Sequence, residues 1–527
     1  MGSEMSGSSN GVSDYMTSQT TSSGHTSGAS TPIPHDAPPS VKIVSTTKKH
    51  IRAEGRRRLF PTIEYANRVS HFDPDSDYRD FHGFFVLFWI GLAIMAITTM
   101  LRNVKDTGLP FRYEIWQLFT IKTWELAVAD FLMVATSAFN LPLQQLYSHN
   151  ILRWKWAGMA IQTLYQTLWF SIWVAVPFHL RWTWTAQVFL VLHTLTVLMK
   201  MHSYSFYNGH LSNCLLRLKE LDHPSDVSKE PVGKYPGAGH TSAIDLARLS
   251  PDSELHAQKE VEDEKSKLEA LREDLALELI SPLGNVTYPN NLSLSNYIDF
   301  LFCPTLCYEL EYPRTPHIRY DQLAYKILAT FGVIFLLTIT SEEFILPVLR
   351  ASSLTLASTT GWVETGLVLA ESISMLLFPF MITFLLVFLV IFEYVLGAFA
   401  EMTCFADRHF YSDWWNSTDW LEFSREWNIP VHHFFRRHVY LSSYPTIGKK
   451  MAMILTFLIS AAAHEVVMAC ITKKIRGYGF AAQMSQLPII AIQQMRWVKG
   501  RRTANNVAFW CSMILGLSMI CSLYVLC

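Results

Sequence analysis

Residues 375–392, "MLLFPFMITFLLVFLVIF", decide the fold class. The run contains no charged residue, and it is nearly as long as the roughly 20 apolar residues that a helix needs to cross a bilayer. Pro379 does not argue against a helix, because membrane helices tolerate proline where neighbours satisfy the freed backbone groups. Of the 527 residues in the chain, 50% are hydrophobic and only 17% are charged, against about 25% charged residues in soluble domains. The sequence therefore predicts a membrane protein.

Apolar runs of this kind recur along the chain. Each is helix-length rather than strand-length, so we expect an all-α polytopic membrane protein with about nine transmembrane helices. The membrane domain is expected to cover residues 80–527. The predicted spans are roughly 83–101, 125–143, 157–178, 183–201, 324–349, 368–399, 451–471, 479–495 and 504–526.

The segments between the apolar runs set the predicted topology. Residues 1–60 begin rich in Ser, Thr and Gly, which predicts a disordered tail, and their basic stretch "KKHIRAEGRRR" (48–58) favours a cytosolic N-terminus. Residues 203–322 then form a cytosolic insert, with a flexible linker at 222–250 and an acidic amphipathic helix at 252–280. The net charge of −1 gives no reason to expect a nucleic-acid partner.

The apolar stretch "LTFLISAAAHEVVMAC" (455–470) holds two ionisable residues, His464 and Glu465. Ionisable groups within a membrane helix are costly, so they mark candidate functional sites. A zinc motif H-E-x-x-H would need histidine where Met468 stands, so no metal is expected. His464 is either a structural histidine or a general base that takes a proton from a lipid hydroxyl. The small residues before it favour the base, with Ser460 on the same helix face as a hydrogen-bond donor or orienting group.

The loop before that helix is crowded with aromatic and polar residues. It contains "HFYSDWWNSTDW" (409–420) and "WLEFSREWNIPVHHFFRRHVY" (420–440). One interpretation is an interfacial segment with its aromatics at headgroup depth. The other is a mouth that binds a phosphate-bearing, ring-bearing cosubstrate such as coenzyme A, with arginines on phosphates and aromatics on the adenine or the acyl chain. The residues alone leave both interpretations open.

Three elements together resemble a known family. "FYSDWWN" (410–416), "WN" (427–428) and "HE" (464–465) resemble the sterol and diacylglycerol O-acyltransferase branch of the membrane-bound O-acyltransferases. "MKMHSYSFYNG" (199–209) and "PTLCYELEYPRT" (304–315) resemble the sterol-type members, those of fungi in particular. The resemblance covers residues from about 80 to the C-terminus.

This resemblance implies a multi-pass enzyme of the endoplasmic reticulum, with helices around a buried catalytic tunnel. It would esterify the 3-hydroxyl of a sterol with long-chain acyl-CoA as co-substrate, hold no permanently bound cofactor, and form a dimer or tetramer. The nearest alternative is a diacylglycerol O-acyltransferase, and the alternatives of another class are a transporter or a non-catalytic sterol-binding protein. The residues carried over are catalytic His464 and Asn428; acyl-CoA-binding Arg425, Tyr440, Lys449, Ser460, Trp414, Trp415 and Asn416; and motif positions Phe410, Tyr411 and Asp413.

Overall fold

The structure is a computed structural model that describes residues 61, 63, 65–70, 82–110, 122–222 and 268–526. The predicted disordered tail at 1–60 lies outside the described residues. So do all but the first residue of the predicted linker and the N-terminal part of the predicted acidic helix. Within the acidic stretch, residues 268–278 are helical, and Leu275 and Leu279 are buried.

The described residues form helices joined by turns and short loops, without a β-strand among them. The helices, numbered here in chain order, are α1 (His82–Thr107), α2 (Thr123–Ser137), α3 (Asn140–Ser148), α4 (Met159–His179), α5 (Trp184–Asp222), α6 (268–278), α7 (Leu294–Phe302), α8 (Tyr320–Thr340), α9 (Leu346–Ser358), α10 (Trp362–Phe388), α11 (Leu396–Met402), α12 (Trp420–Glu426), α13 (Ile429–Phe434), α14 (Leu441–Thr472), α15 (Tyr478–Gln493) and α16 (Arg502–Leu526).

The prediction of an all-α polytopic membrane protein is confirmed, but the count of nine spans is not. Seven helical runs in the described part of the chain are long and apolar enough to cross a bilayer. The two predicted spans without such a run correspond to α4 and α15. Glutamines and aromatic residues with polar atoms lower the mean hydropathy of α4, and α15 has only 16 residues.

The C-terminal half of the chain supplies the helices that position the candidate site. Helix α14 packs along α15 and also contacts α5, while α10 packs along α16. The loop 403–419 lies between α11 and α12. It therefore joins the two groups of helices, and its aromatic residues belong to the largest hydrophobic core cluster.

Several helices are interrupted by a π-helical turn, a feature that is frequent at functional sites. One of these, Leu389–Val395, carries Glu393, which is buried and accepts a hydrogen bond from buried Lys326 of α8 at 2.8 Å. Gly397 leaves room for the lysine, because a Cβ at that position would lie 3.0 Å from the lysine nitrogen. This ion pair ties α8 to the π-helical turn before α11, and α11 leads into the loop 403–419, the motif loop.

Candidate active site

His464 lies on α14 and its side chain is exposed. Its Nδ1 is 2.8 Å from the carbonyl oxygen of Ser460, one turn earlier on the same helix. A carbonyl can only accept a hydrogen bond, so Nδ1 carries the proton and Nε2 keeps its lone pair. Ala462 and Ala463, the residues just before it, have no bulk to cover the ring. The imidazole is therefore oriented for its Nε2 to accept a proton.

Glu465, the next residue, is in a different environment. Its side chain is buried and its carboxylate accepts four hydrogen bonds. The donors are the backbone N–H groups of Arg476 (3.2 Å), Gly477 (2.7 Å) and Phe480 (3.1 Å), and the hydroxyl of Tyr524 (2.6 Å). The N–H groups at a helix start have no partner within the helix, and a negative charge there is favourable. Glu465 thus fixes the start of α15, a role that the sequence pattern did not indicate.

Asn428 caps α13. Its side-chain oxygen accepts the backbone N–H of Val431 at 3.1 Å, the arrangement typical of a helix N-cap. The backbone N–H of Ile429 donates to the carbonyl oxygen of Phe410, at 3.0 Å. Asn428 is therefore held against the first residue of the motif. Within the described ranges, Asn428 and His464 share no hydrogen bond.

The motif loop is mostly interior. Trp414 is 1% exposed, and it makes edge or tilted ring contacts with several other aromatic residues. Its ring centroid lies 4.8 Å from that of Trp427, 5.1 Å from that of Phe388, 5.5 Å from that of Phe384 and 5.6 Å from that of Trp510. Trp414 is therefore part of the hydrophobic core against which the loop packs. Trp415 is half-buried and Asn416 is exposed, so they are the two predicted acyl-CoA contacts of the motif that remain accessible.

Tyr411 and Asp413 of the motif also have defined hydrogen-bond partners. The hydroxyl of Tyr411 donates to Glu393 at 3.2 Å and lies 3.0 Å from the hydroxyl of Ser70. Burial, with the nearby Glu393 carboxylate, raises the pKa of Tyr411 well above its ordinary value, so it stays a neutral donor. Asp413 accepts from the side chains of Ser412 (3.1 Å) and Asn416 (3.3 Å), which closes the turn at the end of the motif.

A short segment before the first membrane helix contacts the loop. The guanidinium of Arg68 donates twice to the carboxylate of Asp407, at 2.9 and 2.6 Å. The ring of Tyr65 packs edge-on against that of Phe405 in the loop, with centroids 5.9 Å apart. Residues 65–70 therefore brace the motif loop, although they precede the region that carries the family resemblance. Nothing in the composition of this segment indicated that contact.

The comparisons with known proteins agree with these elements. The family model described as MBOAT, the membrane-bound O-acyltransferase family, matches residues 111–526. The chain belongs to this family. It is 39% identical to probable sterol O-acyltransferase 2 of Schizosaccharomyces pombe over 85% of this chain and 87% of the relative. It is 32% identical to sterol O-acyltransferase 2 of Candida albicans over 86% of this chain and 76% of the relative. Diacylglycerol O-acyltransferase 1 of Dictyostelium discoideum is 35% identical, over 50% of this chain and 41% of that protein.

In this acyltransferase, the two sterol-type stretches pack against each other. Ser203 of the first accepts the backbone N–H of Tyr308 of the second at 2.8 Å. Asn291, which precedes α7, donates to Asn208 of the first stretch at 2.7 Å. The hydroxyl of Ser203 is also 2.9 Å from Nε2 of His438, which follows the motif loop. The two stretches therefore form one polar interface with the segment that leads into α14.

The other predicted acyl-CoA residues lie along the approach to His464. Tyr440 stacks at a tilt on Tyr444, with ring centroids 6.0 Å apart, and Lys449 is exposed. Between them Gly448 has φ +76°, a conformation that favours glycine and bends the helix. Ser460 contributes its backbone carbonyl to His464, as described above. From Lys449 to His464, fifteen helical residues span about 22 Å.

Arg425 is exposed at the end of α12, in acidic surroundings. Its neighbour Glu426 has its pKa raised to about 7, first by burial and then by the carboxylates of Glu422, Asp413 and Asp419, while Arg425 acts in the opposite direction. Several carboxylates therefore accompany Arg425 at the predicted phosphate-binding mouth. Among the described residues, no cluster of three or more His, Cys, Asp or Glu side chains could hold a metal ion.

Proposed function

We propose that this protein is an acyl-CoA:sterol O-acyltransferase, which forms a steryl ester from a long-chain acyl-CoA and the 3-hydroxyl of ergosterol or a similar sterol. The observation that carries the mechanism is the hydrogen bond from His464 Nδ1 to the Ser460 carbonyl, which leaves Nε2 as a proton acceptor on an exposed ring. The sterol acceptor is supported by the names of the relatives that cover most of the chain and by the paired sterol-type stretches.

In the proposed reaction, Nε2 of His464 takes the proton of the sterol hydroxyl as its oxygen attacks the thioester carbonyl. The carbon–sulfur bond breaks, the ester bond forms, and the imidazolium returns the proton to the leaving coenzyme A thiolate. Asn428 orients the thioester with its side-chain NH2 group, because its oxygen is committed to the helix cap. In this proposal the Ser460 hydroxyl donates a hydrogen bond to the developing oxyanion.

The acyl-CoA is proposed to approach from the side of the motif loop. Trp415, Asn416 and Arg425 would meet it first, and Tyr440 and Lys449 would guide it along α14 toward His464. The bend at Gly448 turns the helix between these two residues. The acyl donor is a co-substrate, and the proposal requires no bound cofactor or metal.

The setting of the enzyme is part of the same proposal. The apolar helices support a multi-pass membrane protein, and the basic stretch at 48–58 supports a cytosolic N-terminus. The endoplasmic reticulum membrane is the setting that the family resemblance implies. Exposed apolar residues cover α1, where Phe84 is 76% and Leu101 66% exposed. A homo-oligomer in the bilayer would be compatible with this surface.

Diacylglycerol esterification is the second candidate, because one diacylglycerol acyltransferase matches half of the chain. The same histidine would serve a diacylglycerol hydroxyl, and only the acceptor site would differ. A product assay separates the two: purified protein receives labelled oleoyl-CoA with ergosterol, cholesterol or diacylglycerol. Steryl ester is the expected main product, whereas triacylglycerol alone would assign the protein to the second function.

His464→Ala tests the mechanism in the same assay. Loss of a general base lowers turnover by about 10²- to 10⁴-fold, and the variant should keep its thermal unfolding temperature, since His464 is exposed and bonded only to its own helix. His179→Ala is the matched control, because His179 is an exposed histidine at the end of α4. Near-normal turnover of purified His464→Ala would refute the assignment.

A further inference from the structure

The buried group closest to His464 that the proposed mechanism leaves unused is the carboxylate of Glu465. Among the described residues, Glu465 is the one side chain of α14 that hydrogen-bonds to α15 and α16. Among the described residues, the imidazole of His464 hydrogen-bonds only to Ser460 of α14. The direction of Nε2 is therefore set by the rotation and depth of α14 among its neighbours.

A single phenol links three helices at this point. The hydroxyl of Tyr524, in the last turn of α16, donates to Glu465 at 2.6 Å and accepts the backbone N–H of Gly479 of α15 at 2.9 Å. Its own ring packs edge-on against Tyr478, with centroids 5.4 Å apart. Because hydroxyl groups donate once and accept through two lone pairs, both roles are compatible.

The backbone around the phenol is shaped for this arrangement. A Cβ at position 479 would lie 3.3 Å from both the Glu465 carboxylate and the Tyr524 hydroxyl. Gly477, which donates to the same carboxylate, has φ +78° at the start of α15. The two glycines thus let α15 begin close against α14, at the level of the residue next to His464.

We infer that Tyr524 is a positioning residue for His464. Tyr524 acts through its hydrogen bond to Glu465, which fixes the orientation of α14. The inference rests on the proposed function only in taking His464 as the base. Tyr524 lies far from the motif loop in the sequence, so the sequence alone does not suggest that it contributes to catalysis. Removal of its hydroxyl would free α14 to rotate, and small misplacements of a catalytic group lower turnover sharply.

The first test is Tyr524→Phe in purified protein, with kcat and KM measured for oleoyl-CoA and ergosterol. We expect kcat to fall by about 10- to 100-fold with both KM values unchanged, because misplacement of the base affects the chemical step more than binding. The pH dependence of kcat should keep its shape, since Tyr524 exchanges no proton with the substrate. Tyr478→Phe is the matched control, which removes a neighbouring phenol oxygen and should retain wild-type kcat.

A double-mutant cycle with Glu465→Gln tests the route through the carboxylate. In this variant a side-chain NH2 group replaces one carboxylate oxygen, and it would face N–H or O–H donors with which it cannot hydrogen-bond. Glu465→Gln should therefore lose more kcat than Tyr524→Phe. Because both changes act on one contact, the double variant should lose no more than Glu465→Gln alone. Additive losses would overturn the coupling.

Three outcomes distinguish a failure of the positioning role of Tyr524 from a failure of the proposed function. Wild-type kcat in Tyr524→Phe overturns the inference while His464→Ala remains inactive. A fall in kcat that only follows a lower unfolding temperature also overturns it, because that result means general destabilisation. Activity retained in His464→Ala instead overturns the proposed function, whatever Tyr524→Phe does.

Discussion

The motif loop and His464 of α14 differ sharply in how closely their side chains are packed. Trp414 of the loop is 1% exposed and meets several aromatic rings, whereas His464 is exposed and makes one hydrogen bond, within its own helix. Side chains that are immobilised on all sides shape a site, while a base must be reachable by its substrate. The difference agrees with the proposal in which the dense motif builds the scaffold and the sparsely contacted histidine performs the chemistry.

Trp414→Ala should give the largest loss of stability in this comparison. Truncation of a fully buried aromatic residue costs about 3–5 kcal/mol of unfolding free energy, and here it would also remove the ring contacts that Trp414 makes with Trp427 and Phe388. We expect a markedly lower unfolding temperature in detergent and little folded protein. His464→Ala, in contrast, should change turnover and leave stability intact.

Trp362→Ala is the control for the size of the deletion, since Trp362 is 86% exposed at the start of α10. It should unfold at nearly the wild-type temperature. The comparison fails if Trp414→Ala folds normally and only its KM for acyl-CoA rises, because the motif would then be a contact surface for the co-substrate.

Asn428 lies between the two extremes, and its two side-chain atoms can be tested separately. Asn428→Ala removes the cap on Val431 and should cost about 1 kcal/mol of stability. Asn428→Asp keeps a capping oxygen but loses the NH2 group that the mechanism assigns to the thioester. We expect Asn428→Asp to unfold at a near-normal temperature and to lose about 10-fold or more in kcat.

Normal kcat in a stable Asn428→Asp variant would limit Asn428 to its helix cap. It would then belong with the scaffold side of the comparison. Equal kcat losses in the two variants, with only Asn428→Ala destabilised, would place the NH2 group in the chemistry.

Patterns within one segment were readable from the sequence, and partnerships between distant segments were not. The apolar run 375–392 and the placement of His464 on an apolar helix depend on local composition. The Lys326–Glu393 pair, the contact of Ser70 with Tyr411 and the link from Tyr524 to Glu465 join residues far apart in the chain. Composition also cannot tell an interfacial tryptophan from a buried one, so the burial of Trp414 could not be read from the sequence.

Glu426 offers the smallest and most local test, at the accessible edge of the scaffold. Its pKa is raised to about 7, so its neutral form favours the folded state below the ordinary pKa of a glutamate, and that stabilisation is lost as the pH rises through 7. Above pH 7 Glu426 becomes negatively charged beside Arg425, and in the proposed complex this charge would repel the phosphates of acyl-CoA. The dissociation constant of oleoyl-CoA, measured in the His464→Ala background to exclude turnover, should therefore rise by about two- to five-fold between pH 6 and pH 8. Glu426→Gln should remove this rise, and an equal rise in both proteins would mean that the acidic group does not face the co-substrate.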